Sequence, residues 1–277
     1  MKKLFIRIIG IALLVCGLSA NAGNNFNELD RSLSRNYIID TAIGLVPNAS
    51  LVTMFGYSPN TGSVSNVNVW ETADAWVNLT SASTMELLSS SANDTAAGTG
   101  CRSVLTQGLD GNFNQISEIV VPNGVSTVAL VNSYLVINNS TCITAGTGNV
   151  NAGNITTRRT SAGSQQGYIL AGAGTSRMGR FTVPAGYTLV LENIFILANK
   201  SGNPNSTTVI TPVVILSNGV KVQGLPDTIP NGSNPTITIP TGVVISEKQT
   251  VSFMITSVST TGIDVSVGAS GVLVKNP

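Results

Sequence analysis

The sequence predicts an all-β protein: two antiparallel β-sandwich domains of jelly-roll type, with a short helical N-terminal segment. Three observations carry this expectation. Valine, isoleucine and threonine alternate with polar residues through most of the chain, which is the period of a half-buried strand. Charged residues are 10% of the 277 while hydrophobic residues are 42%, so the chain can fill a core and must cover it with uncharged polar side chains. Finally, Pro122-Asn123-Gly124, Pro184-Ala185-Gly186 and Pro240-Thr241-Gly242 each join two β-branched runs. Proline fixes φ at the first turn position, and glycine two residues later tolerates the positive φ that a tight reversal needs.

The elements follow in chain order. MKKLFIR places Lys2, Lys3 and Arg7 before the apolar run IIGIALLVCGLSA, and Ala20-Asn21-Ala22 then forms an A-x-A site. Residues 1–22 therefore read as a signal-peptide-like segment cleaved between Ala22 and Gly23. The apolar run is short for a membrane span; left uncleaved, it would be a membrane anchor or an arm. Val15 is too large for the position before a lipidated Cys16. Removal leaves 11 basic against 13 acidic residues.

Residues 23–48 read as an N-terminal arm. Its helix is expected over 24–36, NNFNELDRSLSRN, where Phe26, Leu29 and Leu33 share a face and Asn25 or Asn27 can cap. Residues 49–160 are expected to form the first sandwich. LVTMFGY (51–57) reads as a strand, and Trp70 and Trp76 are expected in the core. MELLSSS, CRSVLTQG and FNQISEIVV read as strands, the last two joined by an Asp110-Gly111 hairpin. TRRTSAGSQQG (157–167) reads as a linker with Arg158 and Arg159 solvated. Residues 161–277 form the expected second sandwich, with 201–207 and 225–235 as polar loops.

The chemistry-bearing candidates are few. GTGCRS (98–103) looks like a phosphate-binding loop, but such a loop needs glycine directly before lysine and a helix after it. Here Cys101 precedes Arg102 and a strand pattern follows. Histidine is absent, which removes the commonest general base and metal ligand. Lys200, Ser201 and Lys248 show no catalytic motif. Asp110-x-Asn112-x-Asn114 resembles the start of a calcium loop, yet Gln115 stands where glycine is required and Val121 where the closing acid is required. The expectation is a non-enzymatic protein with no catalytic residue, cofactor or metal site. With 14 basic and 13 acidic residues, no field draws nucleic acid. Once Cys16 leaves with the signal, Cys101 and Cys142 remain. In an exported chain they suit a disulfide; otherwise they are two buried thiols.

One further pattern spans residues 50 to 188. VWE (69–71) is followed by SSSANDTAAGTG (89–100), RSVLTQGLDGN (102–112), NQISEIVVPNGVSTV (114–128), NSYLVIN (132–138), TAGTGNVNAG (144–153) and RFTVPAGYT (180–188). This order and spacing resembles a family of virion structural proteins of tailed bacteriophages, many from marine bacteria. The resemblance implies a decoration, head-fibre or collar-type component located in the virion. It implies self-association as a homo-oligomer, expected to be a trimer, and contact with other virion proteins. Cys101 departs from the family, which usually has alanine there, and so does the signal-like N-terminus. The alternative reading is an exported bacterial surface, filament or adhesion protein built on the same β module.

Overall fold

The computed structural model describes residues 37–62, 66–72, 76–200, 205–233 and 236–277. The signal-like segment with Ala22 and Gly23, and the helix expected over 24–36, lie outside the described residues. Among those described, one short helix, α1 (Tyr37–Ala42), precedes a chain made of strands.

The first strands are β1 (Ala49–Thr61), β2 (Val67–Asn68), β3 (Ser83–Ser89), β4 (Cys101–Leu109), β5 (Gln115–Val120) and β6 (Val128–Tyr134). Next come β7 (Val136–Ala145), β8 (Ile155–Arg159), β9 (Gln165–Ile169), β10 (Arg180–Thr182) and β11 (Tyr187–Asn199). The last are β12 (Thr207–Ile215), β13 (Lys221–Gln223), β14 (Asp227–Pro230), β15 (Thr236–Ile245), β16 (Thr250–Val258) and β17 (Ile263–Lys275). They pair in four antiparallel sheets. The first runs β1-β17-β11-β15. The second runs β10-β16-β12-β13, with β14 also on β12 and β2 on β16. The third runs β6-β3-β8-β9 and the fourth β5-β4-β7.

The all-β expectation therefore holds, but the two jelly-roll sandwiches do not form. Four small sheets are arranged as a propeller-like ring of four blades. The reason lies in pairing. β1 pairs with β17 from Ala49↔Val274 to Thr61↔Ile263, so the start and end of the described chain share one sheet. Alternation specifies which face of a strand is buried; it does not specify the partner. Pairing also ignores a divide at residue 160. The stretch read as a linker is the β8–β9 hairpin, with Ile155↔Ile169 and Thr157↔Gly167 in register. Arg158 is not a free linker cation there: its Nε donates to Glu86 Oε1 at 2.7 Å. The loop expected over 225–235 contains β14, paired with β12 from Thr207↔Pro230 to Ile210↔Asp227.

The Pro-x-Gly corners form locally as their residues require. Gly124, Gly186 and Gly242 have φ of 59°, 74° and 67°. Their consequence is not three hairpins. The first carries the chain from the fourth sheet to the third, the second from the second sheet to the first, and the third is an irregularity within β15. A turn fixes the exit angle, while side-chain burial decides which sheet the outgoing strand joins.

Two large apolar clusters hold the ring. One gathers Leu189, Ile196, Ile210, Phe253, Val265 and Val267 with other side chains of the first two sheets. The other gathers Met85, Leu87, Val104, Tyr134, Ile137 and Ile169 from the third and fourth. Trp70 is buried in the second cluster and Trp76 packs against it.

Candidate functional site

The Gly-rich stretch between β3 and β4 wraps one side chain. Asp94 is fully buried. Its Oδ1 accepts the backbone N–H of Cys101 at 2.6 Å and of Ala152 at 2.8 Å. Its Oδ2 accepts the Ser89 hydroxyl at 2.5 Å and the Gly153 N–H at 2.9 Å. The Asp94 carbonyl accepts the Gly124 N–H. The carboxylate thus ties the end of β3, the start of β4 and the 146–154 loop, and the main-chain carbonyl of the same residue holds the first Pro-x-Gly corner. A side chain at Gly100 would collide with Asp94 Oδ1. This glycine lets backbone crowd the carboxylate; the loop binds its own aspartate where a phosphate loop would bind an anion.

The same stretch carries the cysteines. Cys101 and Cys142 are joined by a disulfide with Cα atoms 5.8 Å apart, linking β4 to β7. The β4–β7 ladder shifts register on both sides of Ser103, which offsets the two cysteines from direct opposition. Closing a loop of 41 residues should stabilise by about 4 kcal/mol on loop-entropy grounds. Thermal melts with and without reductant should differ accordingly, and Cys142→Ala should reproduce the reduced value.

A second strap crosses between sheets. Arg177 pairs with the buried Glu71 and lies over the Tyr57 ring, 4.5 Å from its centroid. Glu71 Oε2 also accepts the Leu170 N–H at 3.2 Å. Burial pushes the Glu71 carboxyl above its ordinary value, against the opposing pull of Arg177. Deeper still, Arg180 stacks on Trp76 at 3.6 Å and donates to the Gln166 carbonyl at 2.5 Å. Burial drives its pKa well below the usual guanidinium value.

Beside these straps opens a cleft of about 680 Å³. One wall is β1 over residues 51–55, and the facing wall is the outer face of the fourth sheet, with Gln107, Ser117 and Asn139. Asn139 Nδ2 donates to Thr141 Oγ1 at 3.1 Å, and the Ser176 hydroxyl donates to Asn139 Oδ1 at 2.9 Å. Among the described residues Arg180 is the one charged residue in the lining, and its guanidinium is turned against Trp76. The cleft offers amides, hydroxyls and aliphatic surface, a set suited to neutral partners.

Of the residues predicted from sequence, Cys101 and Cys142 are brought together, and Ala22 and Gly23 are not described. Asp110 closes a polar hairpin, its Oδ1 accepting the N–H groups of Asn112 and Asn114, both at 2.8 Å. Among the described residues no group of three or more His, Cys, Asp or Glu is arranged to hold a metal ion, and no helix is long and apolar enough to cross a membrane. Sequence reasoning missed Asp94, Glu71, Arg177 and Arg180. In a chain with so few charges, an acid inside a Gly/Ser/Ala run was the available signal for Asp94. Nothing local marks the others.

No family model and no curated protein matches the chain. Solved structures give a weak structural similarity to viral particles. T=1 particles derived from infectious bursal virus match over 82% of this chain and 70% of theirs, at 11% identity and a TM-score of 0.23. The Gt strain of infectious bursal disease virus matches over 87% and 78%, at 10% identity and a TM-score of 0.23. The VP2 subviral particle of the same virus matches over 83% and 73%, at 10% identity and a TM-score of 0.21. At such scores the likeness fixes neither the fold nor the function.

Proposed function

We infer that this chain is a non-enzymatic structural subunit of a viral particle, a decoration, head-fibre or collar-type component that assembles through β-rich interfaces. The observation that carries the reading is a run of exposed aliphatic side chains on edge strands. Ile119 on β5, Val121 and Val125 on the following corner, and Val131 on β6 all face solvent, Val131 at 92% exposure. β5 and β6 are edges of their sheets. Apolar side chains concentrated on sheet edges mark surfaces that other subunits cover. The motif order over residues 50–188 supports the same reading, as does the dense internal strapping around Asp94.

The subunit acts as a homo-oligomer, a trimer, in contact with other virion proteins. Purified chain should sediment as an oligomer, and Val131→Lys should weaken its self-association at least about tenfold, a loss of about 1.4 kcal/mol. A chain that stays monomeric at every concentration and is missing from gradient-purified particles would end this reading. The Cys101–Cys142 bridge favours a second one, an exported surface, filament or adhesion protein, since disulfides persist in oxidising compartments. Intact mass separates them: a chain starting at Gly23 and bridged supports export, whereas Met1 with free thiols in particles supports cytoplasmic assembly.

A further inference from the structure

The cleft is bounded by an unusual feature of β1. Five consecutive residues, 51–55, line it. A strand seen face-on would contribute alternate residues; consecutive ones mean that the cleft runs along the strand's edge. β1 is the terminal strand of its sheet, and among the described residues its one ladder partner is β17.

The direction of its main-chain groups follows from the register. Lys275 N–H bonds the Asn48 carbonyl, and Asn48 has the parity of Val52 and Met54. These even-numbered residues therefore bond to β17. Odd-numbered residues point away: Tyr57 N–H donates to the Arg177 carbonyl, and the Phe55 carbonyl accepts the Gly179 N–H. The upper edge is thus closed by 177–179, which approaches so near that a side chain on Gly56 would strike Gly179 Cα. Below it the covering chain turns away into β10. The N–H and C=O groups of Leu51 and Thr53 point into the cleft and have no backbone partner among the described residues. A row of alternating donors and acceptors along an extended strand matches another extended backbone, the geometry of strand addition.

Another edge strand of the chain offers groups that complement it. β13 ends the second sheet. It bonds to β12 through even-numbered residues, Val220 and Gly224 among them. Lys221 and Gln223 therefore point their main-chain groups outward. Val220, Val222 and Leu225 expose their side chains, Leu225 at 89%. Val220 and Val222 share one face of this extended segment, Leu225 follows past its end, and the segment's one charge, Lys221, meets no charged group on the β1 side of the cleft.

We propose that β13 and its flanks, residues 220–225, of a second copy of this chain add to the open edge of β1 at Leu51 and Thr53, extending the first sheet of one subunit with the second sheet of the next. The contact is heterologous, so repeated head-to-tail use closes a ring or grows a filament. This rests on the structural-subunit reading above and adds a second pair of joining surfaces to the β5 and β6 edges named there.

Thr53→Pro tests it. Proline at this position removes an N–H that has no backbone partner among the described residues and leaves the β1–β17 ladder intact, a placement edge strands tolerate. The variant should keep the circular dichroism of the parent and lose self-association at least about tenfold, while Thr53→Val, which keeps the N–H, should assemble normally. Assembly of a folded Thr53→Pro chain at parental strength would overturn the proposal and leave the structural-subunit reading standing. A parent that is itself monomeric at all concentrations would overturn both. Should Thr53→Pro not fold, a photo-crosslinking amino acid at position 53 decides: adducts on residues 220–225 of a second copy are expected. Adducts on another segment, on a different polypeptide, or on none, as a saccharide in the cleft would give, overturn it.

Discussion

Asp94→Ala is expected to destabilise the protein by about 3–5 kcal/mol, the largest effect of any single polar substitution proposed for it. The carboxylate is fully buried and accepts four hydrogen bonds, three of them from backbone N–H groups of Cys101, Ala152 and Gly153. Truncation leaves those donors buried with no acceptor, and an unpaired buried donor costs about 1–3 kcal/mol. The donors come from the start of β4 and from the 146–154 loop, so one truncation loosens both where they meet the end of β3. A melting temperature lower by roughly 10 °C is expected for a chain of this size. Asp94→Asn should be nearly as damaging, because its amide group would face a donor wherever it points. An Asp94→Asn chain that melts within about 1 °C of the parent would show that the loop cluster is held by something other than this carboxylate.

Arg177→Gln is expected to cost about 2–4 kcal/mol at neutral pH and distinctly less in mild acid. Removing one partner of a buried pair leaves the other charge uncompensated, at about 3–5 kcal/mol. A third of the Arg177 side chain stays in solvent, which lowers the expected cost. The pH dependence has a definite sign. Burial already raises the folded pKa of Glu71 above its ordinary 4.5, and loss of Arg177 raises it further. A carboxyl whose folded pKa is raised favours the folded state most below its unfolded pKa, and that contribution is lost as pH climbs through the folded pKa. Urea denaturation of Arg177→Gln between pH 4.5 and 8 should therefore show stability falling with pH more steeply than in the parent. Adding Glu71→Gln should flatten the profile and recover much of the loss. An unchanged slope would mean that Glu71 keeps its charge without Arg177.

Both predictions concern residues that sequence inspection passed over, whereas the Pro-x-Gly corners were legible down to the sign of φ at Gly124, Gly186 and Gly242. The difference is one of range. A turn is set by the conformational limits of proline and glycine within three residues, so it can be read wherever those residues stand. The Asp94 cage draws its donors from positions seven and more than fifty residues away, and no local pattern announces which amides will arrive.

The strands show the same division. The alternation in VLTQG or IDVSV states that one face is buried, and the structure agrees along β4 and β17. It does not state that β17 will lie between β1 and β11, or that Arg158 will find Glu86 across the β3–β8 ladder. Strands of equal period and similar side chains are interchangeable until tertiary packing selects among them. The expectation of two jelly rolls failed at that step.

By itself, then, the sequence determined an all-β chain with uncharged polar surfaces, the corners at which it turns, and the two cysteines available for pairing. Each follows from properties that reach only a few residues: side-chain volume, backbone freedom and hydrogen-bonding capacity. Tertiary structure alone decided the four-sheet ring, the burial of Asp94, Glu71 and Arg180, and the open edge of β1 beside its cleft. These depend on which distant strands meet, a choice set by the summed burial of whole faces rather than by any one segment.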